Sequence, residues 1–226
     1  GPVVIGAEAA DPAEYPATFV FATRGGRCSA TAVGTETILT AAHCVAHRGS
    51  GVVKLSDDTS IALTCDHHPG YTLNRTKDFA LCRAAAPLAG LLFERVNTSI
   101  AFPKRGDEVR LLGFGCREEG GADGAFGALY TGRATVIGLP TGRSLDTVTQ
   151  GGAALCFGDS GGGAYVELNS DGSDRALFGV NSRGDISDTS YLSTTATKDF
   201  LNFAVDWAKE NQTTICGVHA AAASCR

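Results

Sequence analysis

Short apolar runs broken by turn residues recur along almost the whole chain, and this rhythm limits the fold more than any other feature. The runs are Thr18–Ala22, Ser29–Val33, Thr37–Leu39, Val52–Leu55, Ile61–Cys65, Phe79–Arg83, Glu108–Gly113, Arg133–Ile137, Gly163–Leu168, Leu177–Asn181 and Thr189–Ser193. Segments this short, set between glycine- and aspartate-rich turns, read as strands of an all-β protein. Glycine supplies the punctuation: 29 of 226 residues are Gly, nearly double the usual ~7%. The glycines have no fixed period, which excludes collagen. Only one helix is expected, over residues 198–210. There Phe200, Leu201, Ala204, Trp207 and Ala208 form one apolar stripe behind a Thr197 N-cap. The Gly-rich stretch from Arg117 to Ala128 reads as an exposed loop open to nicking.

Composition then narrows the class. The chain is 43% hydrophobic and 19% charged, which excludes a disordered chain. Its net charge of −5 and lack of a basic patch argue against nucleic acid as a partner. The longest uncharged run, Asn211 to Cys225, is too short and too polar to span a bilayer, so no membrane partner is expected. The chain contains no Met, so a processed form is expected. Eight cysteines with no C-x-x-C pair suggest four disulfides and a secreted, extracellular protein. The sequons at Asn74, Asn97 and Asn211 are compatible with secretion.

Two segments carry chemistry: Thr40-Ala41-Ala42-His43-Cys44 and Gly158-Asp159-Ser160-Gly161-Gly162. Between them lies Lys77-Asp78-Phe79-Ala80-Leu81. A Ser hydroxyl is a weak nucleophile at neutral pH and needs a base. A His ordered by a carboxylate is the usual base. These three segments, in this order, resemble the signatures of the chymotrypsin-like serine proteases. Val4-Ile5-Gly6-Ala7, Tyr15-Pro16, His68-Pro69-Gly70-Tyr71, Gly113-Phe114-Gly115 and Gly179-Val180-Asn181-Ser182-Arg183-Gly184 extend the similarity over nearly the whole chain.

The resemblance implies one peptidase domain over residues 1–226, built of two six-stranded antiparallel β-barrels. The first barrel would cover about 4–105, the second about 106–196, with the terminal helix at 198–210. It implies His43, Asp78 and Ser160 as catalytic residues, and the N–H groups of Gly158 and Ser160 as an oxyanion hole. The Val4 amine would pair with Asp159 on activation. Because Gly1-Pro2-Val3 precede Val4, a zymogen-like state of the chain as written is expected. The specificity pocket would be formed by Ala154, Leu155, Ser182, Gly184 and Thr189. That set favours small or medium apolar residues before the scissile bond. A one-residue shift in register would instead bring Asp188 to the pocket and favour Arg or Lys. Arg183 would pair with Asp185 or stand in solvent, both preferred to a role in binding an acidic substrate. A non-catalytic homologue acting as a binding protein is the other alternative.

The resemblance also bears on the cysteines. Cys28 and Cys44 match a family bridge beside the catalytic His. Cys65 and Cys82 would lie on neighbouring strands and could bridge, and Cys216 and Cys225 would close the tail. Cys156 departs from the family pattern, and a bridge to Cys116 would tether one pocket wall. Eight cysteines allow many other pairings. No metal or cofactor is expected. Protein or peptide substrates, protein inhibitors and a monomeric state are.

Overall fold

A computed structural model describes residues 7–24, 26–115 and 128–226. Val4, Cys116 and most of the Gly-rich stretch from Arg117 therefore lie outside the described residues.

After a two-residue strand, β1 (Glu8–Ala9), six strands close the first barrel: β2 (Thr18–Thr23), β3 (Gly26–Gly34), β4 (Thr37–Thr40), β5 (Gly49–Lys54), β6 (Ser60–His67) and β7 (Ala80–Ala84). Their order around the barrel is β2-β3-β4-β7-β6-β5, and every pairing that the register records is antiparallel. Alternation explains the inward face. Along β6, Ile61, Leu63 and Cys65 are buried while Ser60, Ala62 and Thr64 are exposed. Cys65 stands directly opposite Cys82 of β7, and the two are bridged.

The second barrel contains β8 (Glu108–Gly113), β9 (Tyr130–Gly138), β10 (Asp146–Gly152), β11 (Gly163–Glu167), β12 (Arg175–Gly184) and β13 (Ser190–Thr194). They run in the order β9-β10-β13-β12-β11-β8, and a β8–β9 pairing closes the ring. β1 adds to the outside of β9, Glu8 facing Thr131. The architecture is thus two closed six-stranded barrels. β1 and β10 are strands that the apolar rhythm does not announce. In β10 the inward positions are Thr147 and Thr149, both fully buried, so a hydrophobic pattern has nothing to detect.

The single α-helix, α1 (Lys198–Glu210), begins where Thr197 accepts a hydrogen bond from the Phe200 N–H. Its apolar stripe packs on the first barrel. Phe200 lies 4.7 Å from Phe79 between ring centroids, and Trp207 Nε1 donates to Asp66 at 3.0 Å. The tail then returns along the same barrel, Cys216 N donating to Val33 O at 2.7 Å, and Cys216–Cys225 closes it. No helix among the described residues is long and apolar enough to cross a membrane.

Candidate active site

The candidate site is built from turns that adjoin buried strands. β4 is buried along its whole length, so the chain leaving it is held firmly. Ala41, Ala42 and His43 follow at once, and Cys44 is bridged to Cys28 of β3. This fixes the backbone of His43 from both sides. Its N–H donates to Asp78 Oδ1 at 2.9 Å, and its ring Nδ1 lies 2.6 Å from Asp78 Oδ2. An ionised carboxylate only accepts, so Nδ1 carries the proton and Nε2 keeps a free lone pair. Asp78 sits just before β7 with its side chain 3% exposed. It accepts a third hydrogen bond, from Ser182 Oγ of β12 at 2.5 Å. Charge-assisted bonds of this kind are about twice as strong as neutral ones. They hold the imidazole in one tautomer and one orientation.

The Ser160 turn comes from the second barrel and is clasped by the first. Ser29 N donates to Ser160 O at 2.8 Å. Ser29 Oγ donates to Gly158 O at 2.9 Å, and Thr40 Oγ1 donates to Ser29 O at 2.9 Å. Gly158 has φ +96°, a region that glycine enters without penalty. Among the described residues, the N–H groups of Gly158 and Ser160 have no intramolecular acceptor. They are two unpaired donors on the turn that carries the Ser160 hydroxyl.

The family comparison agrees with this geometry: residues 4–203 match the family described as Trypsin. The chain belongs to the trypsin family. No individual curated protein matches it. Family membership supports a serine protease of the chymotrypsin type acting on protein substrates.

In this trypsin-family chain Asp159 is fully buried. Its Oδ1 accepts from Gly115 N at 2.8 Å and its Oδ2 from Cys156 N at 2.7 Å. Gly113 and Gly115 are glycines for its sake: a Cβ on Gly113 would stand 2.1 Å from Oδ1. Burial pushes the Asp159 carboxyl up to about 7, against the pull of those two N–H groups. A raised acid pKa in the folded state means that the fold binds the proton more tightly than the unfolded chain. Stability from this group is therefore full below the ordinary carboxylate range and falls as pH rises towards 7. A cation brought to Asp159 would remove that loss. The Val4 amine expected for this role belongs to the residues outside the description.

Around the pocket, Ala154 is fully buried, and Leu155 is packed with Phe178 and Leu192 in the core of the second barrel. The β12–β13 register sets Gly184 opposite Ser190, not Thr189. Ser190 is fully buried and its Oγ accepts from Leu155 N at 2.9 Å. Thr189 instead faces outward, bonded to Gln150 Nε2 at 3.1 Å. A bulge between Asn181 and Arg183 shifts the β12–β13 register by one residue, as bulges do. Asp188 is drawn away from the alternative assigned to it, its Oδ1 accepting from Gly151 N at 2.9 Å. Arg183 is paired with neither Asp185 nor solvent alone. Both its Nη atoms donate to the two oxygens of Asp146. Asp185 accepts the N–H groups of Ser187, Asp188 and Thr189 in its own loop, which holds its carboxyl below the usual range.

Three disulfides lie within the described residues, Cys28–Cys44, Cys65–Cys82 and Cys216–Cys225. The expected Cys116–Cys156 bridge involves a residue outside them. Cys28 and Cys44 come close to His43, but their sulfurs are joined to each other and offer no thiolate to a metal.

Proposed function

We propose that the protein is a serine endopeptidase that works through an acyl-enzyme. The reading rests above all on the Asp78 carboxylate, which accepts the Nδ1–H and N–H of His43 and the hydroxyl of Ser182. With its tautomer set, His43 Nε2 takes the Ser160 proton as Oγ attacks the scissile carbonyl. The carbonyl oxygen becomes an oxyanion facing the N–H groups of Gly158 and Ser160. Losing one such donor typically costs about 3–4 kcal/mol of barrier. Collapse of the tetrahedral intermediate breaks the C–N bond, and the imidazolium protonates the departing amine. Water, deprotonated by His43, then cleaves the ester and restores Ser160.

Activation is proposed to bring the Val4 amine to Asp159, whose buried carboxylate otherwise has only N–H partners among the described residues. Cleavage after small or medium apolar residues is favoured by Ala154 at the pocket base and by the engagement of Asp188 elsewhere. Secretion is supported by the disulfides rather than by the sequons. The side-chain amides of Asn74, Asn97 and Asn211 already donate to backbone carbonyls.

The test is labelling with a serine-directed phosphonate, together with cleavage of a mixed peptide library. Ser160→Ala should abolish labelling and lower kcat by about a millionfold. Cuts after Arg or Lys would overturn the apolar specificity while keeping the mechanism. Neither labelling nor cleavage would favour a non-catalytic homologue.

A further inference from the structure

We propose that Arg183 makes the substrate groove selective for an acidic side chain, one or three residues before the residue whose carbonyl is attacked. The inference rests on the protease reading above. It begins with an open strand edge. β12 pairs with β11 as far as Val180, opposite Gly163, while β13 continues to pair with it through Arg183 and Gly184. From Ser182 to Gly184 one edge of β12 therefore faces no strand among the described residues. Ser182 is also the residue that holds Asp78. An extended peptide that adds to this edge by main-chain pairing runs directly past the His43–Asp78 pair. Its side chains alternate between faces, so those two positions apart share one side.

Arg183 is the charged group on this stretch. Its side chain is 43% exposed, and Asp146, its partner, is buried. Asp146 receives one N–H from each Nη, leaving three of the guanidinium's five donors for another group. The Tyr191 ring lies 4.8 Å beneath and fixes the plane. The guanidinium is thus positioned before a ligand arrives, and its exposed edge can meet a carboxylate in a fork geometry.

The surroundings reinforce the sign. Arg75 lies over the Tyr71 ring at 5.6 Å; burial and the Asp78 charge raise the Tyr71 phenol, and Arg75 and Arg183 pull the other way. The loop carrying Arg75 is tied to the loop carrying Arg143: Asn74 Nδ2 donates to Arg143 O at 2.8 Å and Leu145 N to Thr76 Oγ1 at 3.0 Å. Arg75 and Arg143 are exposed. Of the acids here, Asp78 and Asp146 are buried; Asp185 is exposed, with three loop N–H groups on its Oδ1, and Asp188 accepts from Gly151 N. On a chain of net charge −5, Arg75 and Arg143 are thus exposed cations on two tied loops, and Arg183 keeps one edge of its guanidinium in water.

The experiment uses matched peptides with Asp, Ala or Lys at the second and at the fourth residue before the bond, the residue supplying the scissile carbonyl counting as the first. The full chain should cleave the Asp peptide about three- to tenfold better than the Ala peptide in kcat/KM, with Lys worst. The preference should shrink at high salt, a readout that needs no variant. In Arg183→Gln the Asp-to-Ala ratio should fall to about one, and Arg183→Lys should restore part of it. A purely structural Arg183 would alter stability but not this ratio. If the Ala peptide is cut and Asp gives no advantage, the inference fails and the protease reading stands. An advantage that persists unchanged in Arg183→Gln also overturns it. If no peptide is cut and Ser160 takes no label, both fall together.

Discussion

β12 carries an arginine at each end, Arg175 and Arg183, and each grips a carboxylate with two nitrogens. Arg175 holds Glu94 at 3.0 and 2.7 Å. It also donates to Gly172 O and Glu14 O and lies between the rings of Tyr15 and Tyr165. Both partners are almost wholly buried, with side chains 3% and 0% exposed, and Arg226 approaches the same carboxylate. The knot joins the segment before β2, the connection between the barrels, β12 and the C-terminal residue. Arg183 forks onto Asp146 through its two Nη atoms, where Arg175 uses Nε and Nη2, and it keeps part of its guanidinium in water. Both ends are guanidinium–carboxylate pairs. Burial and the saturation of donors separate a structural clasp from a group still able to meet a ligand.

That contrast can be broken by mutation. Removing one partner of a buried pair leaves the other charge stranded, so Arg175→Ala should cost about 3–5 kcal/mol in urea unfolding. Replacing Arg175 and Glu94 together by Met and Leu should recover most of that loss. A cost below about 1 kcal/mol for Arg175→Ala would erase the distinction between the two ends.

Asp159 sharpens the comparison, being a buried carboxylate with no cation beside it among the described residues. With its N-terminal amine chemically blocked, the protein should lose stability, on the order of a few kcal/mol, as pH rises from about 4 to 7. With the Val4 amine free and paired, the slope should vanish, as it should in Asp159→Asn. Melting curves across that pH range read the difference.

Ser182, next to Arg183, tests the catalytic end of β12. Ser182→Ala removes a hydrogen bond to a charged group and should lower kcat/KM by about tenfold or more. Its effect on melting should be small. At Arg183 the effect on stability is expected to be smaller than at Arg175. Arg183→Ala should cost about 1–2 kcal/mol at pH 8. It should cost less at pH 5, because burial already raises the Asp146 carboxyl and its protonation relieves the stranded charge.

Much of the protein was legible along the chain. Short apolar runs between turns mark β2 to β9 and β11 to β13, because each strand buries one or both of its faces. Helix α1 follows from its stripe and its Thr197 cap. Residues His43, Asp78 and Ser160 stand in segments specific enough to name before any geometry, and the structure brings His43 and Asp78 into contact. β10 was not legible: its buried Thr147 is polar, and its hydroxyl shares a 2.7 Å hydrogen bond with that of Thr194 across the sheet.

The residue sequence by itself determined the strand rhythm, the helix and the chemistry-bearing segments, since each depends on neighbours within a few positions. Tertiary structure alone decided which side chains meet across long separations. It set Ser190 rather than Thr189 opposite Gly184, because a bulge shifts the register. It gave Arg183 to Asp146, 37 residues away, because Asp185 closes its own turn. It turned Ser29, which no motif singles out, and Thr40, the first residue of the His43 segment, into the clasp that holds the Ser160 turn against the first barrel. Such contacts depend on register and burial, which emerge only when both barrels are closed.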